Sequence, residues 1–284
     1  MEENLQGLIG DAVAAIRKMT DARPEIGIVL GTGLGEGSLT DELSVRMRVP
    51  YGEIPHFPRS TVESHAGNLI FGTLRGREVA VMSGRVHFYE GYTMREVTFP
   101  IRALRGLGAD TMIMSSAVGG MNPLMNAGEI VCVVDHINLM GDNPLIGKND
   151  DALGPRFPDM SEPYSQALIE IAEKTALRLG LPLNKGVLVA VAGPNLETRA
   201  EYRFLRAIGA DIVGMSMIPE TIVAVHGGMR VLGLSVITDE CLPDALKPVD
   251  IQAILRIAGE AEPKLARLVC EIVAQIPLAS KRPA

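Results

Sequence analysis

The chain has 284 residues, 47% hydrophobic and 21% charged, the balance of a globular rather than a disordered protein. Its formal net charge is −7 with no block of Lys or Arg, which argues against a nucleic-acid binder. No apolar run approaches the roughly 20 residues of a membrane span, and Met1-Glu2-Glu3-Asn4 lacks the basic and apolar regions of a signal peptide.

Residues 4–19 carry Leu5, Leu8, Ile9, Ala12, Val13 and Ile16 at helical spacing. Ile26-Gly27-Ile28-Val29-Leu30 reads as a fully buried strand, and residues 68–74 and 77–82 as half-buried strands. A helix over 94–107 leads into a buried strand at 111–114, and another strand spans 130–134. Residues 138–163, rich in Gly, Asn, Asp and Pro, read as a long loop. A helix over 164–180 stops at Gly180 with Pro182 beyond it. A strand at 187–191, helices at 198–208 and 219–227, a strand at 231–238 and a helix near 250–275 complete the pattern. This alternation predicts one α/β domain over residues 1–284, with a mixed, mainly parallel sheet flanked by helices. Cys132, Cys241 and Cys270 are far apart, as in a reducing cytosol, and no two His or Cys have metal-ligand spacing. A cytoplasmic protein without a metal is the expectation, with His56, His136 and His226 structural.

Several strand ends carry chemistry. Gly84-Arg85-Val86-His87-Phe88-Tyr89-Glu90-Gly91-Tyr92 follows a strand, where an α/β protein places its ligand site. Arg offers a fork for an oxyanion, His a donor or proton carrier, and Tyr a flat face for a sugar. Gly31-Thr32-Gly33-Leu34-Gly35 is an anion loop or a plain tight turn; Glu36 breaks the dinucleotide fingerprint. Ser115-Ser116-Ala117-Val118-Gly119-Gly120 reads by itself as a turn that starts a helix. In Val191-Ala192-Gly193-Pro194-Asn195-Leu196-Glu197-Thr198, Glu197 either accepts from a heterocycle or caps a helix. Val213-Gly214-Met215-Ser216-Met217 is not a hydrolase elbow, because Ile218 stands where the second Gly belongs. Thr238-Asp239-Glu240 ends the last strand with carboxylates that bind a ligand or cap.

The joint order of Gly-Thr-Gly-Leu-Gly, Ser64-His65-Ala66-Gly67, the Gly84–Tyr92 block, Ala-Val-Gly-Gly, Arg156-Phe157-Pro158-Asp159-Met160-Ser161, Ala-Gly-Pro-x-x-Glu-Thr and Gly-Ala-Asp-x-Val-Gly-Met-Ser resembles the trimeric purine nucleoside phosphorylases over about residues 25–240. The resemblance implies the nucleoside phosphorylase fold, a homotrimer, and phosphorolysis of purine nucleosides to free base and ribose 1-phosphate. Inorganic phosphate is then a co-substrate, and neither metal nor organic cofactor is needed. By the same resemblance Thr32, His65, Arg85, His87, Ala117 and Ser216 bind phosphate. Tyr89 and Met215 contact ribose, joined by Phe157 lent by the neighbouring subunit. Val213, Gly214, Glu197, Thr238 and Asp239 surround the purine, and His87, Glu197 and Asp239 are the candidate catalytic groups.

Two departures bear on specificity. Asp239 stands where the 6-oxopurine enzymes place Asn; an ionised Asp only accepts, which disfavours a 6-oxo and favours a 6-amino group, whereas a protonated one donates to N7. Near Ile251, flanked by Val249 and Ile254, the family's histidine against the ribose 5′-hydroxyl is missing. An apolar 5′ pocket resembles the sister methylthioadenosine phosphorylases, the alternative reading. A nucleoside-binding protein without turnover is the non-enzyme alternative, against which stands the Arg85, His87 and Ser216 set.

Overall fold

The computed structural model describes residues 4–31, 37–59 and 67–277. In chain order the helices and strands are α1 (Leu5–Met19), β1 (Ile26–Leu30), α2 (Gly37–Asp41), β2 (Ser44–Pro50), β3 (Asn68–Leu74), β4 (Arg77–Ser83), α3 (Met94–Leu107), β5 (Thr111–Gly120), β6 (Ile130–Leu139), α4 (Gln166–Leu179), β7 (Leu183–Val191), α5 (Arg199–Ala207), β8 (Ile212–Gly214), α6 (Ile218–His226), β9 (Arg230–Glu240) and α7 (Ile251–Val273).

Local chemistry sets the helix starts. Asn4 accepts from the Gly7 amide to cap α1, and Ile9, Ala12 and Ile16 form its buried face. Thr93 and Glu96 form a reciprocal capping box on α3. Asp250 accepts from the amides of Gln252 and Ala253 to start α7. The Glu262 carboxylate of α7 then holds the Ser38 amide at 3.0 Å and its hydroxyl at 2.6 Å, fixing α2 beside it.

One mixed sheet in the order β2-β3-β4-β1-β5-β8-β7-β6-β9 runs through the fold. β1 lies parallel between β4 and β5 and is buried along its whole length, as its uninterrupted apolar run requires. β5 also pairs with β9, so β5, β8, β7, β6 and β9 form a closed circuit. The carboxyl ends of the parallel strands β4, β1, β5 and β9 therefore point to one side, where β8 crosses the tip of β5. The main core fills the space between sheet and helices. A smaller cluster of Met121, Val189, Tyr202, Leu205, Ala210, Val213 and Cys241 lies under the far end.

The structure corrects the sequence reading in places. Ser115–Gly120 is no turn: it continues β5, held by pairing with β9 through a register shift between Val118 and Gly119. β6 runs to Leu139, inside the segment expected to be loop. Neither α2 nor β2 was expected. β2 is an edge strand that buries only Val49 outright, so its sequence carries no burial alternation.

Candidate active site

Arg85 follows β4 directly and is only 2% exposed. Its Nη1 donates to Ser216 Oγ at 2.8 Å, and its Nε lies 3.1 Å from Glu220 Oε1. Glu220 is equally buried, and its Oε2 accepts from the Met217 amide at 2.6 Å. Met217, between Ser216 and α6, has φ of 68°, a left-handed conformation that costs a non-glycine residue free energy. The buried ion pair and the strained turn together fix where the guanidinium and the Ser216 hydroxyl point.

His87 begins the short turn that follows. Its amide and Nδ1 face Glu90 Oε1 at 2.7 Å and 3.1 Å, and its ring stacks on Tyr89 with centroids 4.7 Å apart. Burial, reinforced by the Arg85 charge, lowers its pKa to about 4, so at neutral pH the ring is uncharged. Burial also raises the Tyr89 hydroxyl above its ordinary value.

The small residues at the end of β5 open the floor. Ser115 Oγ donates to the Val29 carbonyl at 3.0 Å and accepts from the Gly31 amide at 3.1 Å, so β5 carries the end of β1. A Cβ on Gly31 would lie 2.8 Å from the Ser115 carbonyl oxygen, so the backbones touch there as only glycine permits. Gly193, with φ of 67°, gives the Met215 thioether its place: a Cβ there would overlap Met215 Sδ.

On the far side the Thr198 hydroxyl and the Glu201 carboxylate cap α5 reciprocally, at 3.2 Å and 2.7 Å. Glu197 is thereby released from capping and lines the cavity. Burial foremost, with the charges of Asp239 and Glu201, raises its pKa above the usual carboxylate value. Asp239 is held at both oxygens, by Thr238 Oγ1 at 3.0 Å and Cys241 Sγ at 3.0 Å. Tyr202 stands beside both Glu197 and Cys241, and burial raises its hydroxyl pKa and the thiol's.

These groups enclose a cavity of about 240 Å³. Its walls include Arg85, His87, Tyr89, Ala117, Glu197, Val213, Gly214, Met215, Ser216, Thr238 and Asp239, all expected from the sequence to share a site. A neighbouring cavity of about 480 Å³ shares Glu197, Tyr202, Thr238 and Asp239 and continues along Val249, Ile254 and Ile257. A cationic, hydroxyl-rich corner and a carboxylate-rich wall in one concave site suit a ligand with an anionic partner and a ring of N–H donors.

The Phosphorylase superfamily pattern matches residues 25–274. Purine nucleoside phosphorylase 1 of Bacillus subtilis is 47% identical over 93% of this chain and 97% of its own. Purine nucleoside phosphorylase 1 of Geobacillus stearothermophilus is 45% identical over 93% and 96%. This chain belongs to the purine nucleoside phosphorylases. Among solved members of the family, that of Schistosoma mansoni in complex with adenosine superposes with a TM-score of 0.89 at 38% identity, covering 97% of this chain and 98% of that one.

Beside the expected wall residues, other positions fall differently. Thr32 and His65 lie outside the described residues. Phe157 is 86% exposed beneath the Arg156 guanidinium, 5.7 Å from its ring centroid, and does not line the cavity of its own chain. Ile251 is 55% exposed and absent from both cavity walls, whereas Ile254, one turn on, lines both. His136 faces the Tyr164 hydroxyl at 3.2 Å, His56 faces Asp11 at 3.4 Å, and His226 is buried without a side-chain hydrogen-bond partner among the described residues.

Sequence reading missed Glu220, Tyr202 and Cys241. Glu220 sits three residues into α6 from Met217, a capping position, and nothing in its spacing announces Arg85 as its partner. Tyr202 of α5 and Cys241, just past β9, are brought beside Glu197 and Asp239 only by folding around the smaller core.

Proposed function

We propose that the chain splits purine nucleosides with inorganic phosphate in this cavity, and that Arg85, Ser216, His87 and Ala117 receive the phosphate, with Thr32 and His65 contributing. The observation that carries this reading is the buried Arg85 guanidinium held on Ser216 Oγ at 2.8 Å in the same cavity as Glu197 and Asp239. A protein that only bound nucleosides has no need of such an anion corner.

In this reading a phosphate oxygen attacks C1′ of the ribose as the C1′–N9 bond breaks. The bonding electrons leave on the purine, which is protonated to the free base, and the sugar leaves as ribose 1-phosphate. Positive charge grows on the ribose and negative charge on the purine. The phosphate, fixed beside the sugar, offsets the first. His87, neutral at working pH by its lowered pKa, serves as a hydrogen-bond donor or acceptor rather than a cation. Glu197 accepts from the purine, with Val213, Gly214 and Thr238 around the ring. Tyr89 and Met215 line the ribose. Phe157, exposed on its own chain, is lent to the sugar side of a neighbouring subunit's site in a homotrimer. A cytoplasmic location goes with this reading.

Asp239 sets the base preference. Both its oxygens accept from neighbours, the arrangement of a carboxylate that takes hydrogen bonds, which supports a lean toward 6-aminopurines. The apolar wall of Val249, Ile254 and Ile257 in the adjoining cavity favours methylthioadenosine as the second reading. Phosphate-dependent release of base from inosine, guanosine, adenosine and methylthioadenosine, measured side by side, tests all of this. Adenosine above inosine and guanosine is expected. Preference for the 6-oxopurines would remove the role of Asp239, and phosphate-independent turnover would remove the phosphorolytic mechanism.

A further inference from the structure

Another cavity, of about 400 Å³, shares no wall residue with the candidate active site. Arg95 and Arg102 of α3, Lys148 and Asp150 of the loop after β6, and His226 at the end of α6 line it. The volume falls in the range of small-molecule pockets.

Arg102 is the feature that needs an explanation. It is 8% exposed, yet it makes no hydrogen bond or ion pair with any described residue. Its surroundings are hostile to a cation: burial first, then the neighbouring Arg95 charge, lower its pKa to about 10, and Asp150 offsets only part of this. Its donors face the cavity, where an acceptor-rich ligand could use them. His226 shows the same shortage. It is 4% exposed, and its ring faces the backbone of Gly154 and Pro155 without closing a hydrogen bond of normal geometry.

We propose that this cavity is a second ligand site, taking a small phosphorylated molecule of sugar-phosphate size whose phosphate group is held by Arg95, Arg102 and Lys148. Three cationic side chains set against the carboxylates of Asp150 and Asp151 leave the wall with a positive balance, which favours an anionic group. The cavity is larger than a lone phosphate needs. Asn149 and Asp151, also on its wall, offer the polar groups that hydroxyls of a sugar would use.

The test counts phosphate. Equilibrium dialysis of the full chain with labelled inorganic phosphate should give two phosphates per chain, one at the candidate active site and one here. Lys148 is exposed on its loop, so Lys148→Met should fold normally. It should weaken only the second phosphate, by about tenfold for the loss of one charge-assisted contact. Arg102→Met should abolish that phosphate. Unlabelled ribose 5-phosphate should displace the Lys148-dependent label at lower concentration than unlabelled phosphate does. One phosphate per chain that Lys148→Met leaves untouched would overturn the proposal, as it would if a neighbouring subunit's carboxylate filled the cavity. Equal or weaker competition by ribose 5-phosphate would overturn the sugar-phosphate assignment in favour of a free anion. A single phosphate that is sensitive to Lys148→Met would instead count against the active-site reading, so the two failures are distinguishable.

Discussion

The Cys241 thiol donates to Asp239 Oδ2 at 3.0 Å while the Thr238 hydroxyl donates to Oδ1 of the same carboxylate at 3.0 Å. This carboxylate on the cavity wall is thus oriented by a hydroxyl and a neutral thiol, and burial keeps the thiol protonated by raising its pKa. A group oriented in this way reads its ligand sharply, because its rotamer is no longer free to adapt.

Replacing Asp239 by Asn changes an acceptor into a donor and acceptor at nearly constant shape. The ratio of kcat/KM for adenosine to that for inosine should fall by about 10- to 100-fold, the worth of one hydrogen bond to a charged group. An unaltered ratio would mean that Asp239 does not face the 6-position.

Arg85→Ala removes the cation from the phosphate corner and leaves Glu220 buried without its partner. The KM for phosphate should rise and kcat should fall by about 10²- to 10³-fold, as when one preorganised donor is lost. Stability should fall as well, by about 3–5 kcal/mol, because the Arg85–Glu220 pair is buried on both sides. Glu220→Gln separates the two effects: it keeps the guanidinium but releases its aim, so it should alter phosphate KM with a smaller loss of stability. Phosphate saturation unchanged in Arg85→Ala would sink the assignment of the corner.

Strand ends in an α/β fold converge on one side, which singled out the segments of Arg85, Ser216 and Asp239 as candidates; only the family resemblance joined them into one wall. What holds them was not legible in the sequence. The Arg85–Glu220 pair spans 135 positions of sequence, and Glu220 reads locally as a plain helix cap. The end of β5 was misread for a related reason. Ser115, Ser116, Gly119 and Gly120 lack a side-chain pattern for a strand, and their pairing with β9 decides the matter. Glu197 was ambiguous until Thr198 and Glu201 were seen to satisfy the helix start without it.

Glu197 should show its environment in a pH series. Its folded pKa is raised, so its contribution to stability is present below the unfolded value of 4.5 and is lost as pH rises through the folded value. Glu197→Gln carries no such penalty. The melting temperature of the variant relative to the parent should therefore climb from pH 4 toward pH 8, while base release falls because the purine loses its anionic acceptor. A difference in melting temperature that stays flat with pH would show that Glu197 is freely solvated.

His87 should behave with the opposite sign. Its pKa is about 4 in the folded protein against 6.5 for the free side chain, so its stabilising contribution is complete above pH 6.5 and is lost as pH falls through 4. The parent protein should lose more melting temperature than His87→Asn between those two pH values. Because the imidazole stays neutral across the working range, His87→Asn should lower the rate without moving the acid limb of the pH–rate profile, whereas Glu197→Gln should move it. A limb that shifts with His87→Asn and not with Glu197→Gln would exchange the two roles, making the imidazole the titrating group and requiring that the Arg85 charge and burial act on it far less than the geometry at Glu90 and Tyr89 indicates.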